Sequence, residues 1–258
     1  MLALVTGASS GVGAAGARRL AREPGTHVIV VARREDRLRE LAAELPSASH
    51  IAIDLTDPDA PASVAEHLRR EHDGRLDLLV NNAGAAWRGR FAEAGWANVE
   101  RHMRLNFDAT LRLTEALLPL LRAAAPSSIV NVASVAGRVS RANSGAYSAS
   151  KFALCGWSEA LHLEERAHGV HVGLVLPGFV ATEGFPQREL VERRLTRRLV
   201  STPEKVAEAI VEAGPGGVAE RYVPKPYRLA VILRVLAPGL LRRAAGGAGA
   251  MTPATEPD

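Results

Sequence analysis

Short apolar runs alternate with longer amphipathic stretches along the whole chain. The runs occupy residues 2–5, 27–32, 50–53, 76–80, 128–132 and 170–176. Each is rich in Val, Ile and Leu without strict polar alternation, which suits strands covered on both faces. Between them lie helical patterns at 36–45, 60–70 and 99–121. This order predicts βαβ units and therefore an α/β fold built on a parallel, doubly wound sheet. A last strand near 219–223 closes the far edge. Pro and Gly mark the seams, as at Pro24-Gly25, Pro177-Gly178 and Pro215-Gly216-Gly217. There is no internal repeat and no interdomain linker, so a single domain fits. We place it at residues 1–226, followed by a hydrophobic helix at 227–243 and a disordered Ala/Gly/Pro/Thr-rich tail at 244–258.

Composition narrows the function classes. Apolar residues make up 47% of the chain, enough for a sizeable core, and Lys plus Arg exceed Asp plus Glu only by 32 to 28. The densest basic stretch, 188–198, also carries Glu189 and Glu192, with no aromatic residue nearby beyond Phe185. A nucleic-acid surface wants a basic face with stacking residues, so that class is set aside. Cys155 is the only cysteine, which excludes an intrachain disulfide and suits a small apolar helix position. No metal-ligand cluster stands out. No leader precedes the first strand, and no charge-free apolar run approaches about 18 residues. The expected compartment is the cytoplasm.

The first strand runs directly into Thr6-Gly7-Ala8-Ser9-Ser10-Gly11-Val12-Gly13, and a helix is predicted at 14–22. Glycines serve where backbone turns sharply or must approach a pyrophosphate, and a helix N-terminus aims free N–H groups at phosphate. Three glycines in a loop are also ordinary turn formers. Their position between a first strand and a first helix favours a dinucleotide site. At the end of the second strand, an NAD-preferring site places an acid against the ribose hydroxyls. Here Ala32 is followed by Arg33 and Arg34. Guanidinium groups suit a 2′-phosphate, so NADP(H) is expected over NAD(H). A solvated arginine pair is the plainer reading, and Ser10 stands where many NADP-selective loops carry a base.

Tyr147 and Lys151 lie four residues apart on one face of a predicted helix, Ser134 follows the fifth strand, and Asn106 lies in the preceding helix. A phenol that works as an acid/base near neutrality needs its pKa lowered, which a nearby ammonium would do. A serine hydroxyl aimed at the same carbonyl oxygen would hold substrate and stabilise negative charge. Taken singly, these are a surface pair, a strand-end hydroxyl and a helix-interior oddity. Their joint order with the glycine loop carries the weight.

In these motifs the chain closely resembles the short-chain dehydrogenase/reductase family, from Leu2 to about Thr182. The matching elements are the Thr6–Gly13 loop, Asp54, Asn81-Asn82-Ala83-Gly84, Asn106, Ser134, Tyr147 with Lys151, and Pro177-Gly178 with Thr182. The resemblance implies a Rossmann-type fold of about seven strands in order 3-2-1-4-5-6-7. It implies Tyr147 as acid/base, Ser134 orienting substrate, Lys151 on the nicotinamide ribose and lowering the Tyr pKa, and Asn106 holding a relay water. Gly7, Ser9, Ser10, Gly11, Val12 and Gly13 would hold the phosphates. Asp54 and Leu55 would meet adenine, with Arg33 and Arg34 beside it. Asn81 would steady the central strands and, with Ala83 and Gly84, the cofactor. Pro177, Gly178, Val180 and Thr182 would flank the nicotinamide. The alternative from another class is a non-catalytic dinucleotide-binding or regulatory protein, which typically loses Tyr or Lys. An enoyl reductase would show wider Tyr-to-Lys spacing.

Substrate walls are expected from Trp87 with Ala85 and Ala86, from 136–143, and from a lid at about 179–200 that carries Phe179, Phe185 and Leu190. Their apolar character leans toward a hydrophobic carbonyl or alcohol, against ordinary packing. A homo-oligomer is expected, most simply a dimer through 99–121 and 147–166. The segment 227–243 is too short and charged to span a bilayer. A helix at 229–241, broken near Pro238, is expected to pack on the substrate cleft or a partner subunit, with a membrane surface as the second choice.

Overall fold

The computed structural model describes residues 1–182 and 200–240. The chain opens with β1 (Leu2–Thr6), α1 (Gly11–Leu20), β2 (His27–Ala32), α2 (Glu35–Glu44), β3 (Ala48–Ala52), α3 (Ala60–Glu71) and β4 (Leu78–Asn81). It continues with α4 (Phe91–Met103), a π turn (Arg104–Asp108), α5 (Ala109–Ala123), β5 (Ser127–Val132) and α6 (Gly145–Glu165). The last described elements are β6 (Val170–Pro177), β7 (Phe179–Val180), β8 (Val200–Ser201), α7 (Pro203–Ala213), β9 (Glu220–Val223) and α8 (Tyr227–Leu236). Seven strands form one parallel sheet in the order β3-β2-β1-β4-β5-β6-β9. Strand order reverses between β1 and β4, and in such sheets the crevice beyond the strands' C-terminal ends at that point receives ligands.

Both faces of the sheet are covered, which explains why the strands are near-continuously apolar. Leu4, Ile29, Leu79 and Ile129 face α3 and α5, where Val64, Leu68, Leu113 and Leu117 meet them. Their neighbours Val5, Val28, Val30 and Val130 point the other way, onto Ala17, Leu20, Leu38, Val206 and Ile210 of α1, α2 and α7. The alternation along each strand feeds two cores at once.

Two boundaries differ from the sequence expectation, and the break expected near Pro238 is present. The first helix begins inside the glycine loop, at Gly11 rather than residue 14. The single helix expected at 99–121 is two helices joined by the π turn, with an earlier start at Phe91 and a break at Gly95, whose φ is +60°. One extra residue in a turn shifts the later apolar stripe by about 100°, but no Gly or Pro marks residues 104–108, so the sequence reads as one continuous helix. The C-terminal helix ends at Leu236, two residues before Pro238, because Ala237 leaves helical backbone ahead of the proline. Leu190, Phe185, most of the expected lid, Arg242, Arg243 and the 244–258 tail lie outside the described residues.

Candidate active site

The glycine loop is shaped by close backbone approach. Gly7 and Gly11 have φ of +66° and +56°. A Cβ at Gly13 would lie 2.2 Å from the Gly7 carbonyl oxygen, and one at Gly7 would lie 2.8 Å from the Ala83 Cα. The loop is tied to β4 from below. Thr6 Oγ1 donates to the Val80 carbonyl and accepts from the amides of Asn82 and Ala83, and Asn82 Nδ2 donates to the Thr6 carbonyl at 2.9 Å. The N-terminus of α1 has no side-chain cap and no acid in its first turn. Four free N–H groups and the positive end of the helix dipole therefore open onto the crevice, which fits a pyrophosphate. Val12 packs on the core beneath, and Thr182 stands beside Gly11, where an added Cβ would sit 3.3 Å from its methyl.

At the β2 exit the two arginines part. Arg34 bends back to the loop, donating from Nη2 to Ser9 Oγ at 3.0 Å and Ser10 Oγ at 2.9 Å. Arg33 is exposed and reaches Asp54 at 3.9 Å, a contact weak enough to yield to another anion. Burial pushes the Asp54 carboxyl up, but hydrogen bonds from the Thr56 amide and hydroxyl, with Arg33 and Arg104 nearby, hold it net below its ordinary value. Leu55 beside it is buried in the core. Arg34 thus borders the mouth of the glycine loop and Arg33 stands at Asp54, with no acid at position 32.

The third group of residues gathers at the ends of β4, β5 and α6. Ser134 caps a 3-10 turn (Val135–Gly137); its hydroxyl accepts from the Ala136 amide, donates to the Pro177 carbonyl at 3.3 Å and is close enough to the Tyr147 phenol to act on its pKa. One helical turn on, buried Lys151 donates Nζ to the Val132 carbonyl at 3.0 Å. Burial pushes its ammonium down to about 8. Burial also raises the Tyr147 phenol, with the Ser134 hydrogen bond and Arg141 acting in the opposite direction. Sequence reasoning expects the reverse direction, with Lys151 as the lowering charge; removal from water outweighs charge here. Asn106, fully buried in the π turn, pins the 84–86 loop through the Ala85 amide and carbonyl, both at 2.9 Å, and donates to Ser150. A Cβ at Gly84 would meet Asn106 Oδ1 at 2.9 Å and Lys151 Nζ at 3.4 Å, so all three surround one spot. Asn81 is sealed between β4, α5 and β5, donating to Thr114 and Asn131.

Several supporting residues escaped the sequence reading. Asn82 ties the glycine loop, a task assigned by sequence to no residue. Buried His102 donates Nδ1–H to the Asn98 carbonyl and accepts the Trp87 amide on Nε2, which fixes its neutral tautomer; burial lowers its pKa further. Its ring meets Trp87 and Tyr147 edge-on at 4.9 and 6.1 Å, so it props the substrate-side loop against the phenol. On the opposite wall Arg141 lies over the Phe179 ring at 4.6 Å, and Tyr227 of α8 packs flat on Gly178. Val180 joins the core, and β7 pairs with β8 in parallel. A lone His in an amphipathic helix and a Tyr near the chain's end carry no local signal of these roles.

Comparison with known proteins agrees with this geometry. Residues 1–191 match the family model described as short chain dehydrogenase. The ketoacyl reductase HetN of Nostoc sp. is 34% identical over 216 residues, covering 81% of this chain and 74% of the relative. Dehydrogenase/reductase SDR family member 7B of Bos taurus is 30% identical, covering 93% of this chain and 78% of its own. Among solved structures, a short-chain dehydrogenase from Streptomyces avermitilis superposes with a TM-score of 0.79 at 32% identity, over 96% of this chain and 97% of that one.

Proposed function

The chain belongs to the short-chain dehydrogenase/reductase family, whose members are NAD(P)-dependent oxidoreductases, and on that premise we propose that it reduces a hydrophobic carbonyl to a secondary alcohol with NADPH. The observation that carries this reading is that Ser134 acts on the Tyr147 phenol while Lys151, one helical turn on, shares a corner with Gly84 and Asn106 at the strand ends, beside an uncapped helix N-terminus. When bound, NADPH supplies the hydride. Gly7, Ser9, Ser10, Gly11, Val12 and Gly13 hold its phosphates, with Asp54, Leu55, Asn81, Ala83 and Gly84 on one side and Pro177, Gly178, Val180 and Thr182 on the other. Arg33 and Arg34 take the 2′-phosphate.

Tyr147 donates its proton to the substrate oxygen as negative charge develops there. Burial favours that role, because a phenol held above its ordinary pKa is fully protonated at pH 7. Ser134 donates to the same oxygen and orients it. Lys151 holds the ribose and lies next to Gly84 and Asn106, a rigid corner that keeps both in place. Trp87 and Phe179 offer the apolar walls, and Phe185 belongs to the same wall by sequence. We also read the chain as a homodimer paired through α5 and α6, in keeping with the exposed small face of α6 at Ala149, Gly156 and Ala160.

Cofactor titration tests the selectivity. NADPH is expected to bind at least about tenfold tighter than NADH, which is about 1.4 kcal/mol, less than one good charge-assisted hydrogen bond. Replacing Arg33 and Arg34 with alanine should erase the difference. Equal dissociation constants in the unmodified protein would refute the NADP(H) reading, and absence of turnover with any hydrophobic ketone or aldehyde would refute the reductase.

A further inference from the structure

Helix α8 faces the wrong way for a helix that packs on its own domain. A surface helix ordinarily turns its apolar stripe to the core and its charges to water. Here Leu229, Ile232, Leu233 and Leu236 recur at helical spacing and are 69, 44, 40 and 78% exposed; Leu240 continues the stripe at 60%. Val235 beside them is 69% exposed. The side turned to the domain carries Tyr227, Ala230, Val231 and Arg234, whose guanidinium lies over the Phe152 ring at 4.8 Å. No residue of α8 is buried. The helix is anchored by Tyr227 on Gly178 and by Arg234 on Phe152, so the outward direction of the stripe is held by two contacts.

Charge decides what covers it. From residue 221 to 255 the sequence holds six cations and no Asp or Glu; Arg221 is paired with Glu212 and Arg234 lies on Phe152, which leaves Lys225 and Arg228 as the exposed cations beside the stripe among the described residues. A second copy laid on this face would bring arginine against arginine with no acid in the segment to pair with them. An anionic lipid surface meets both features at once: acyl chains take the leucines and head groups take the cations. No described helix is long and apolar enough to cross a membrane, and the ten residues of α8 span about 15 Å, so the contact lies along the surface.

We propose that α8 docks the protein on an anionic lipid surface through the Leu229–Ile232–Leu233–Leu236 stripe. Because Tyr227 packs on Gly178 beside Phe179, docking brings the substrate-side wall to the lipid. A consequence, which rests on the reductase reading, is that the hydrophobic carbonyl is drawn from the lipid phase.

Flotation of the full chain tests this without reference to turnover. Vesicles of phosphatidylcholine mixed with phosphatidylglycerol are compared with phosphatidylcholine alone, for the unmodified protein and for the Leu233→Glu/Leu236→Glu double variant. Neither position is buried, and Leu236 is 78% exposed, so unchanged turnover on a soluble carbonyl serves as the control for folding. Binding to the mixed vesicles is expected to exceed that to neutral ones by about tenfold, to weaken in high salt, and to be lost in the variant. Turnover on a small soluble carbonyl should be unchanged. An unmodified protein that fails to float with anionic vesicles would overturn the proposal. So would a variant that still floats, or a light-scattering mass that the two substitutions lower, which would assign the stripe to a second copy.

Discussion

Helices α6 and α8 are both mostly apolar and touch each other through Phe152 and Arg234, yet they treat polarity in opposite ways. The buried side of α6 carries Ser148, Ser150, Lys151, Ser158 and Glu165 among its leucines, and its outer side mixes Ala149, Gly156 and Ala160 with Glu159, Leu163 and Glu164. In α8 the leucines are outside and an arginine lies against the domain. Apolar residues inside and polar ones outside need no explanation; a buried ammonium and an exposed leucine stripe do. Each helix breaks the ordinary rule in one direction, and each departure marks an interaction with something beyond the chain. On α6 the price is a charge held out of water at the reacting centre. On α8 it is apolar surface left for a partner to cover.

The largest effect that sharpens this contrast is expected at Lys151. Its pKa is about 8 in the fold against an ordinary 10.5, so below pH 8 the fold carries a penalty of about 3 kcal/mol for burying the charge. Between pH 8 and 10.5 the unfolded chain binds the extra proton, and this contribution makes stability rise with pH. Lys151→Met should abolish turnover while raising stability at pH 7 by up to that amount. Relative to the unmodified protein it should also lose stability progressively through that window, as urea titrations at several pH values would reveal. The Cys155 thiol, pushed up to about 11 by burial, titrates nearby but belongs to both proteins.

A smaller effect is expected where the two helices meet the site. A Cβ at Gly178 would lie 2.0 Å from the Tyr227 ring, so Gly178→Ala must displace that ring and loosen α8. Overpacking of this kind costs about 1–3 kcal/mol. Faster proteolysis after Pro226 would report it; unchanged protection would show that α8 is held by other contacts. The smallest effect belongs to the outer stripe itself. Leu233→Glu/Leu236→Glu should change stability in vesicle-free buffer by no more than about 1 kcal/mol, because Leu236 is largely exposed and Leu233 only partly covered. A larger loss would mean that the stripe already has a protein partner.

Much of this arrangement is legible in the sequence, for identifiable reasons. The sheet is legible because strands covered on both faces leave unbroken Val, Ile and Leu runs, and the glycine loop because Gly7 and Gly13 have no room for a Cβ. Ser134, Tyr147 and Lys151 are legible through spacing and through resemblance to a known family. The π turn at Asn106 is not, since no Gly or Pro marks residues 104–108. His102 and Asn82 act on backbone groups distant in sequence, which no local pattern records. The direction of the Tyr147 shift depends on how completely the fold removes the phenol from water. The apolar stripe of α8 is visible in the sequence as well, but the side it faces is set by Tyr227 finding Gly178.

The central claim is that Tyr147 transfers the proton at a site where the cofactor is held by other groups. Tyr147→Phe keeps the ring that packs against His102 and removes only the hydroxyl. Turnover with NADPH and a hydrophobic ketone is expected to fall by about a thousandfold, within the span typical of a lost general acid. The NADPH dissociation constant, read by fluorescence titration on the same preparation, should stay within about threefold of the unmodified value. Undiminished turnover in Tyr147→Phe would contradict the account.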